Sequence, residues 1–313
     1  QAEKVHIENM KNAAIIIPIY KPDQKFCKLL DALKKQKDIN FDLYIIDSGS
    51  NRADYENHLE DLSYQITKIT PDIFNHGGTR RAAAQKYALY PFLFYMTQDA
   101  IPADEFALSR LLSVFNDGCV GCAYGRQLPA PNASVLAAHA RLFNYPAKDQ
   151  VKSLSDIAKI GIKAAFISDT FAVYRTTALS SVGWFPENVI LGEDTYVAAK
   201  MLLAGWKSVY CADACVYHSH DYSIWQEFQR YFDTGVFHAR EPWIRQQFGQ
   251  AEGEGKRFVI SEMKYVLRYA PYVLPEACVR NAAKFLGYRL GLIEKKLPLF
   301  IKRKYSMNRQ YWK

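Results

Sequence analysis

The sequence contains no apolar run that approaches the roughly 20 residues needed to span a bilayer, and it begins without a hydrophobic signal-peptide segment. Cysteines are also few, six in 313 residues. Cys119 and Cys122, like Cys211 and Cys215, have ligand-like spacing, but both pairs lie in apolar, strand-like segments without the turn residues of a zinc knuckle. These absences favour a cytoplasmic protein with reduced thiols and no structural zinc.

Acidic residues are scarce near the C-terminus. Residues 256–313 contain 14 lysines and arginines against three glutamates, a net charge of +11, whereas the whole chain carries +8. The rest of the chain is therefore slightly acidic. A basic C-terminal region indicates an anionic partner, such as a nucleotide, a nucleic acid or a membrane surface. Because no RNA- or DNA-binding signature accompanies this charge, we expect no nucleic-acid partner.

The hydrophobic pattern predicts two regions. Up to residue 223, short apolar runs alternate with helical segments, which is typical of βαβ units, a mainly parallel sheet and an α/β fold. From residue 224 the apolar residues recur at helical spacing, so we expect a helical region over 224–313. Residues 1–11 look like a polar leader, and residues 127–163 look loop-rich. The first strands are predicted at 13–20, 42–47, 65–69 and 91–97, and a glycine turn at 74–81 is predicted to precede a helix over 82–89.

Polar side chains follow several of these strands, where open α/β sheets bind their ligands. Each cluster alone could be a turn, a helix cap or a solvated strand end, but their joint placement favours a ligand site. Carboxylate and imidazole groups there could hold a divalent ion against a diphosphate, and a further carboxylate could act as general base. Residues 75–80 offer backbone N–H groups and a guanidinium for phosphate or sugar. The clusters are Asp47, Gln98 with Asp99, Glu193 with Asp194, and His218 with His220.

Several motifs resemble the signatures of the family 2 glycosyltransferases, which have the GT-A fold. They are Ile17-Pro18-Ile19-Tyr20, Ile46-Asp47-Ser48-Gly49-Ser50, Gln98-Asp99-Ala100 and Gly192-Glu193-Asp194. Other stretches resemble a narrower branch, the bacterial rhamnosyltransferases of surface polysaccharide synthesis. These are residues 74–80, 96–100 and 231–240, and the similarity as a whole covers roughly residues 12–245.

The resemblance implies an inverting transferase that uses a nucleotide sugar, here dTDP-L-rhamnose, and Mg²⁺ or Mn²⁺. It places the general base at Asp194, with Glu193 as a structural residue or a sugar contact. The Asp-x-Asp motif of the family is reduced to Gln98-Asp99-Ala100, so the metal would be held by Asp99 with His218 or His220. The implied donor contacts are Pro18, Tyr20, Asp47, Ser48, Asn75, His76, Gly77, Gly78, Arg80, Gln98 and Asp99.

The acceptor side is less defined by the motifs. For Arg230, Tyr231, Asp233 and His238, a contact with the acceptor competes with simple helix packing, and Trp184 is a further candidate. Residues 284–311 mix apolar and basic residues, which indicates either an amphipathic helix on an anionic membrane or a helix packed on the catalytic domain. A lipid-linked saccharide acceptor would favour the former and place the enzyme on the inner face of the bacterial cytoplasmic membrane.

Two other functions are compatible with the sequence. The same fold could use another donor, such as UDP-galactofuranose. The eroded Gln98-Asp99-Ala100 motif also leaves open a non-catalytic, membrane-bound carbohydrate-binding protein, although the retained Glu193 and Asp194 favour an enzyme.

Overall fold

The computed structural model describes residues 12–249 and 252–312, so the predicted polar leader lies outside the described residues. The first half has the predicted βαβ order. Strands β1, β2, β3 and β4 pair in parallel, with Ala13 of β1 beside Phe41 of β2 and Phe92 of β4. The elements are β1 (Ala13–Ile19), α1 (Gln24–Lys34), β2 (Phe41–Asp47), β3 (Tyr64–Lys68), α2 (His76–Lys86) and β4 (Phe92–Met96).

The second half adds strands of both directions. The sheet order is β3-β2-β1-β4-β8-β6-β9-β5, with β7 paired to β9, and β8 is antiparallel to both of its neighbours. The stretch over 127–163, predicted to be loop-rich, contains the end of β6, α4, β7 and α5 between irregular segments. The elements are β5 (Ile101–Pro102), α3 (Ala107–Ser113), β6 (Val120–Leu128), α4 (Val135–Asn144), β7 (Gln150–Lys152), α5 (Ile157–Ile160), β8 (Phe171–Arg175), α6 (Thr176–Ser181), α7 (Glu193–Leu203) and β9 (Lys207–Tyr217).

The sheet is covered on both faces. Along β1, Ile15 and Ile17 point into one apolar cluster, while Ala14 and Ile16 point into another on the opposite face. All four side chains are fully buried. Burial on both faces explains why the strands read as continuous apolar runs. The prediction of an α/β fold with a sheet between helices is confirmed.

The described residues after 223 are helical and contain no strand. Helices α8 and α11 pack so closely that glycine is required at their contact. A Cβ atom at Gly287 would lie 2.4 Å from the Phe228 carbonyl oxygen, and one at Gly291 would lie 2.1 Å from that of Phe232. These helices are α8 (Ile224–Arg240), α9 (Pro242–Phe248), α10 (Glu252–Tyr269), α11 (Leu274–Leu292) and α12 (Leu299–Tyr305).

The amphipathic stretch predicted over 284–311 is not one helix. Helix α11 ends at Leu292, and Pro298 precedes the separate helix α12. Within residues 12–249 and 252–312, no helix is both long and apolar enough to cross a membrane. The division of the chain at residue 223 stays a prediction.

Candidate active site

One side of the site is built from the ends of β4 and β9. Asp99 follows β4, and His218 and His220 follow β9. The Asp99 Oδ1 atom lies 3.4 Å from His218 Nε2, and Oδ2 lies 3.8 Å from His220 Nδ1. One ligand atom from each residue lies within 4.8 Å of the others, so the three side chains could hold a metal ion. We call them the imidazole side.

The protonation of His218 is set by Gln127. The Gln127 Oε1 atom accepts a hydrogen bond from Arg141 and lies 2.9 Å from His218 Nδ1, so this ring nitrogen must be the donor. Burial lowers the pKa of His218, so the ring is neutral and its Nε2 lone pair points towards Asp99. That Nε2 atom is buried and has no hydrogen-bond partner among the described residues.

An unpaired nitrogen lone pair that faces a carboxylate is the arrangement that a divalent cation satisfies. Burial raises the pKa of Asp99, whereas pairing with a protonated His218 or His220 lowers it below its usual range. The carboxylate is therefore ionised. The donor set thus fits a divalent ion.

Gln98 joins two segments of the site through its side-chain amide, and its predicted contact with the donor stays a prediction. Its Oε1 atom accepts from the Tyr20 N–H at 2.8 Å, and its Nε2 donates to the Tyr20 carbonyl oxygen at 3.2 Å. This amide therefore joins the end of β1 to the segment after β4. Tyr20 itself is half exposed.

The loop after β2 is organised by Asp47. Its Oδ1 accepts from the N–H groups of Gly49 and Ser50 at 3.0 and 2.8 Å, and its Oδ2 accepts from the Tyr55 hydroxyl at 3.2 Å. Ser48 donates to the Ile19 carbonyl oxygen at 2.8 Å. Asp47 and Ser48 therefore fix the loop that ends β2. Their contacts with the donor stay predictions, as does that of Pro18 in β1.

The glycine turn predicted before residue 82 is wrong, because helix α2 begins at His76. Asn75 is the N-cap and accepts from the Gly78 N–H at 2.8 Å, which explains the early start. A Cβ atom at Gly77 would lie 1.9 Å from the Pro186 carbonyl oxygen, so glycine is needed for close packing. His76 lies 3.2 Å from Asn308. The donor contacts predicted for residues 75–78 stay predictions.

The other side of the site is a buried group of charges that we call the carboxylate side. Arg80 Nε lies 2.8 Å from Asp169 Oδ2, and its Nη1 lies 2.9 Å from Glu193 Oε1. All three side chains are less than a tenth exposed. The guanidinium that the sequence assigned to the donor is thus enclosed by protein carboxylates. Its contact with the donor stays a prediction.

Asp194 lies in the first turn of α7, next to Glu193. Its Oδ1 accepts from the Thr195 N–H at 2.6 Å, and its Oδ2 accepts from the Asp169 N–H at 3.3 Å. Burial, followed by the charge of Glu193, raises the pKa of Asp194 to about 6. A carboxylate with this proton affinity is suited to accept a proton near neutral pH.

Sequence reasoning missed Asp169. Its Oδ1 accepts from the Tyr174 hydroxyl at 2.7 Å, and burial raises the pKa of its carboxyl, although Arg80 opposes the shift. Asp169 lies just before strand β8, which begins at Phe171. Because β8 is antiparallel and Phe171 pairs with Met96, its start lies where β4 ends. The position of Asp169 therefore depends on which strands are neighbours in the sheet, and no local sequence pattern shows this.

A chain of contacts connects the two sides. Gln127 contacts His218 with its oxygen and donates from Nε2 to the Ser168 hydroxyl at 3.0 Å. Ser168 precedes Asp169, whose N–H contacts Asp194. The charge of Arg230 on α8 also acts on His218, His220 and Glu193. The imidazole and carboxylate sides are therefore joined through Gln127, Ser168 and Asp169.

The predicted acceptor residues have different surroundings. Arg230 is exposed and lies over the Tyr222 ring, while Tyr231 is half-buried. Asp233 is fully buried and accepts from the N–H groups of Met307 and Asn308, and His238 Nδ1 lies 3.0 Å from the Tyr288 hydroxyl. Trp184 packs against a core cluster under the sheet. Asp233 and His238 thus fasten C-terminal segments to α8, and acceptor contacts by all five residues stay predictions.

This fold and site define a class of enzyme, the glycosyltransferases of the GT-A type. A mannosyltransferase from Pyrobaculum calidifontis, solved in complex with GDP-Man and Mn²⁺, superposes with a TM-score of 0.55 and 16% identity over 96% of this chain and 84% of its own. This likeness concerns the fold. The family profile for Glycosyl transferase family 2 matches residues 14–183.

Two curated relatives align with nearly the whole chain at 46% identity. The O-antigen chain rhamnosyltransferase RfbN of Salmonella typhimurium is 46% identical, over 95% of this chain and 95% of its own. The O-antigen chain rhamnosyltransferase WbaN of Salmonella anatum is also 46% identical, over 97% and 96%. The chain belongs to glycosyltransferase family 2, and it is a glycosyltransferase.

Proposed function

We propose that this enzyme transfers L-rhamnose from dTDP-L-rhamnose to a hydroxyl group of a lipid-linked saccharide during bacterial O-antigen synthesis. The two relatives named as O-antigen chain rhamnosyltransferases support the sugar and the process. The observation that carries the reaction type is Asp194, a buried carboxylate held by two backbone N–H groups with a pKa near 6.

The proposed reaction is a single in-line displacement. Asp194 takes the proton of the acceptor hydroxyl while that oxygen forms a bond to the anomeric carbon of rhamnose. The bond from the anomeric carbon to the diphosphate oxygen breaks, and the nucleoside diphosphate leaves with the electron pair. Attack from the opposite face inverts the anomeric configuration. Glu193 serves as the partner of Arg80 rather than as the base.

We propose that the imidazole side binds Mg²⁺ or Mn²⁺ through Asp99, His218 and His220. A divalent ion at this position supplies positive charge for the diphosphate of the donor. Gln127 supports the site by fixing the ring tautomer of His218. This role compensates for the single carboxylate that remains of the family motif.

We place the reaction on the inner face of the cytoplasmic membrane, because the proposed acceptor is attached to a lipid. The basic C-terminal region, with its +11 charge over residues 256–313, supports this location. Arg230 is the predicted acceptor contact with the most suitable position, since it is exposed and its charge reaches both sides of the site.

A donor panel tests the proposal. Purified enzyme is titrated with dTDP-L-rhamnose, UDP-galactofuranose, UDP-glucose and GDP-mannose in a calorimeter, with Mn²⁺, Mg²⁺ or EDTA. We expect metal-dependent preference for dTDP-L-rhamnose, and transfer of rhamnose to a synthetic lipid-linked saccharide with inverted configuration by NMR. Preference for a uridine donor would overturn the named sugar. Binding of no donor would favour the carbohydrate-binding alternative.

A further inference from the structure

The outer surface of the C-terminal helices exposes many large apolar side chains. Of the 22 large hydrophobic residues that are exposed in the described chain, 11 lie between Val259 and Phe300. Scattered single residues of this kind are normal on a protein surface, but a concentration of them marks an interaction site. The region therefore has a face that the described chain leaves uncovered.

Helix α11 concentrates these residues on one side. Val279, Phe285, Leu286 and Ile293 are 53%, 65%, 54% and 45% exposed. They recur at intervals of three, four and seven residues together with Ala282 and Arg289, and so share one face. The opposite face contains Gly287 and Gly291, which contact the backbone of α8. One face of α11 therefore packs on α8, and the other is exposed.

The charge around this face is mainly positive. Of the three acidic residues in 256–313, Glu262 and Glu294 are 1% exposed, and the exposed Glu276, in the first turn of α11, pairs with Arg280 at 2.7 Å. Glu294 contacts Arg240 and Lys302, and Glu262 lies beside Lys284 and Asn281. These carboxylates are therefore enclosed among interior partners. The following basic side chains are exposed and form no ion pair with the described residues: Lys264, Arg268, Arg289, Lys295, Lys296, Arg303 and Lys304.

We propose that the outer face of α11, together with α12, docks on an anionic lipid surface. The apolar side chains enter the interface between headgroups and acyl chains, and the surrounding lysines and arginines contact the lipid phosphates. Phe300 on α12 and Tyr272 before α11 add exposed apolar side chains on either side of it in the chain and are 69% and 82% exposed. Because the exposed Glu276 is already paired with Arg280 and the unpaired charges here are all basic, an anionic leaflet fits this face better than a protein surface of mixed charge does.

This inference rests on the proposed lipid-linked acceptor for its purpose, but its test requires neither donor nor acceptor. Purified enzyme is mixed with vesicles of phosphatidylcholine alone or with about 30% phosphatidylglycerol, and the bound fraction is measured by flotation. We expect binding to the anionic vesicles that is at least about tenfold tighter than to the neutral ones, and that weakens as salt is added.

The variant Phe285→Glu/Leu286→Glu is expected to lower anionic-vesicle affinity at least about tenfold. Leu89→Glu/Leu154→Glu is the matched control, since both leucines are exposed outside this face. Lys295→Gln/Lys296→Gln is a second variant that leaves every apolar side chain in place and is expected to weaken binding several-fold. Thermal unfolding and binding of dTDP establish that each variant is folded.

The proposal is overturned if the wild type binds neutral and anionic vesicles equally well. It is also overturned if the apolar variant and the lysine variant both bind as tightly as the wild type. Light scattering adds a further distinction. If the wild type is a dimer, and Phe285→Glu/Leu286→Glu makes it a monomer without changing vesicle binding, the face is a subunit interface and the proposal fails. Vesicle docking with no rhamnosyl transfer would instead contradict the proposed function and leave the docking surface intact.

Discussion

The two sides of the active site satisfy their buried charges in opposite ways. On the carboxylate side, Arg80 lies between Asp169 and Glu193, so the protein provides its own cation. On the imidazole side, Asp99 faces His218 and His220, and burial favours the neutral form of both rings. One side is therefore complete without a ligand, and the other has a place for a cation.

This difference separates the roles of the acidic residues. A carboxylate that is already paired with a guanidinium is poorly placed to bind a metal, and Asp194 is held by N–H groups that leave it free to receive a proton. Asp99, in contrast, has no guanidinium partner and faces two imidazole rings. The carboxylate side is thus suited to proton transfer and the imidazole side to binding the diphosphate. Variants of each side should produce different deficits.

The largest effect is expected from Asp194→Asn, which removes the proposed base and keeps the side-chain volume. Turnover should fall by about 10²- to 10⁴-fold, because general base catalysis contributes that much. The affinity for dTDP-L-rhamnose with Mn²⁺ should stay within twofold of wild type. Initial rates and calorimetry check both expectations. Asp213→Asn, on the exposed part of β9, is the control. Near-normal turnover by Asp194→Asn would refute the assignment of the base.

The next largest effect is expected on stability, from Arg80→Gln, which removes the buried cation. This change leaves Asp169 and Glu193 buried without their partner, which costs about 3–5 kcal/mol of the free energy of unfolding. Urea unfolding followed by circular dichroism measures the loss.

Asp99→Asn provides the contrast, because Asp99 has no such cation in the protein. It should change the free energy of unfolding by less than about 1 kcal/mol when metal is absent. Equal losses in the two variants would contradict the difference between the two sides.

A smaller effect is expected from Gln127→Ala, which acts on the metal through His218. Without the Gln127 oxygen, the Nδ1 atom loses its acceptor and the ring loses its fixed tautomer. Removing such a supporting group typically lowers metal affinity about 10- to 100-fold. Mn²⁺ binding measured by electron paramagnetic resonance tests this without any turnover. An unchanged Mn²⁺ affinity would exclude a supporting role for Gln127.

The smallest effect is expected for the pH dependence of turnover, which should arise from the carboxylate side. The pKa of Asp194 is raised to about 6, and the base acts only when it is deprotonated. Turnover is therefore expected to be constant above about pH 7 and to fall about tenfold per pH unit below pH 6. Rates measured with saturating donor and acceptor between pH 5 and 8 give the profile. A rate that is still constant at pH 5 would contradict the raised pKa.

The features that the sequence could predict depend on local patterns. Short apolar runs predicted β1, β2 and β4, and the polar residues at the predicted strand ends or in the following loops include Asp99, Asp194 and His218. The break in the C-terminal segment also has a local signal, Pro298, although the apolar spacing alone predicted one continuous helix.

Other features depend on which strands become neighbours. Asp169 belongs to the site because β8 runs against β4, and Gln127 belongs to it because the end of β6 lies beside the end of β9. Neither pairing follows from a periodicity. The partners of Arg80 likewise come from residues about 90 and 110 positions away. A motif could name this arginine but could not reveal that two carboxylates surround it.

The most direct test of the division between the two sides is calorimetry of dTDP-L-rhamnose with the Asp99→Asn and Asp194→Asn variants, each with Mn²⁺ and with EDTA. The account predicts that Asp99→Asn binds the donor equally weakly in both conditions, and that Asp194→Asn keeps the full Mn²⁺-dependent gain in affinity. If Asp99→Asn keeps this gain and Asp194→Asn loses it, the metal and the base have been placed on the wrong sides of the site.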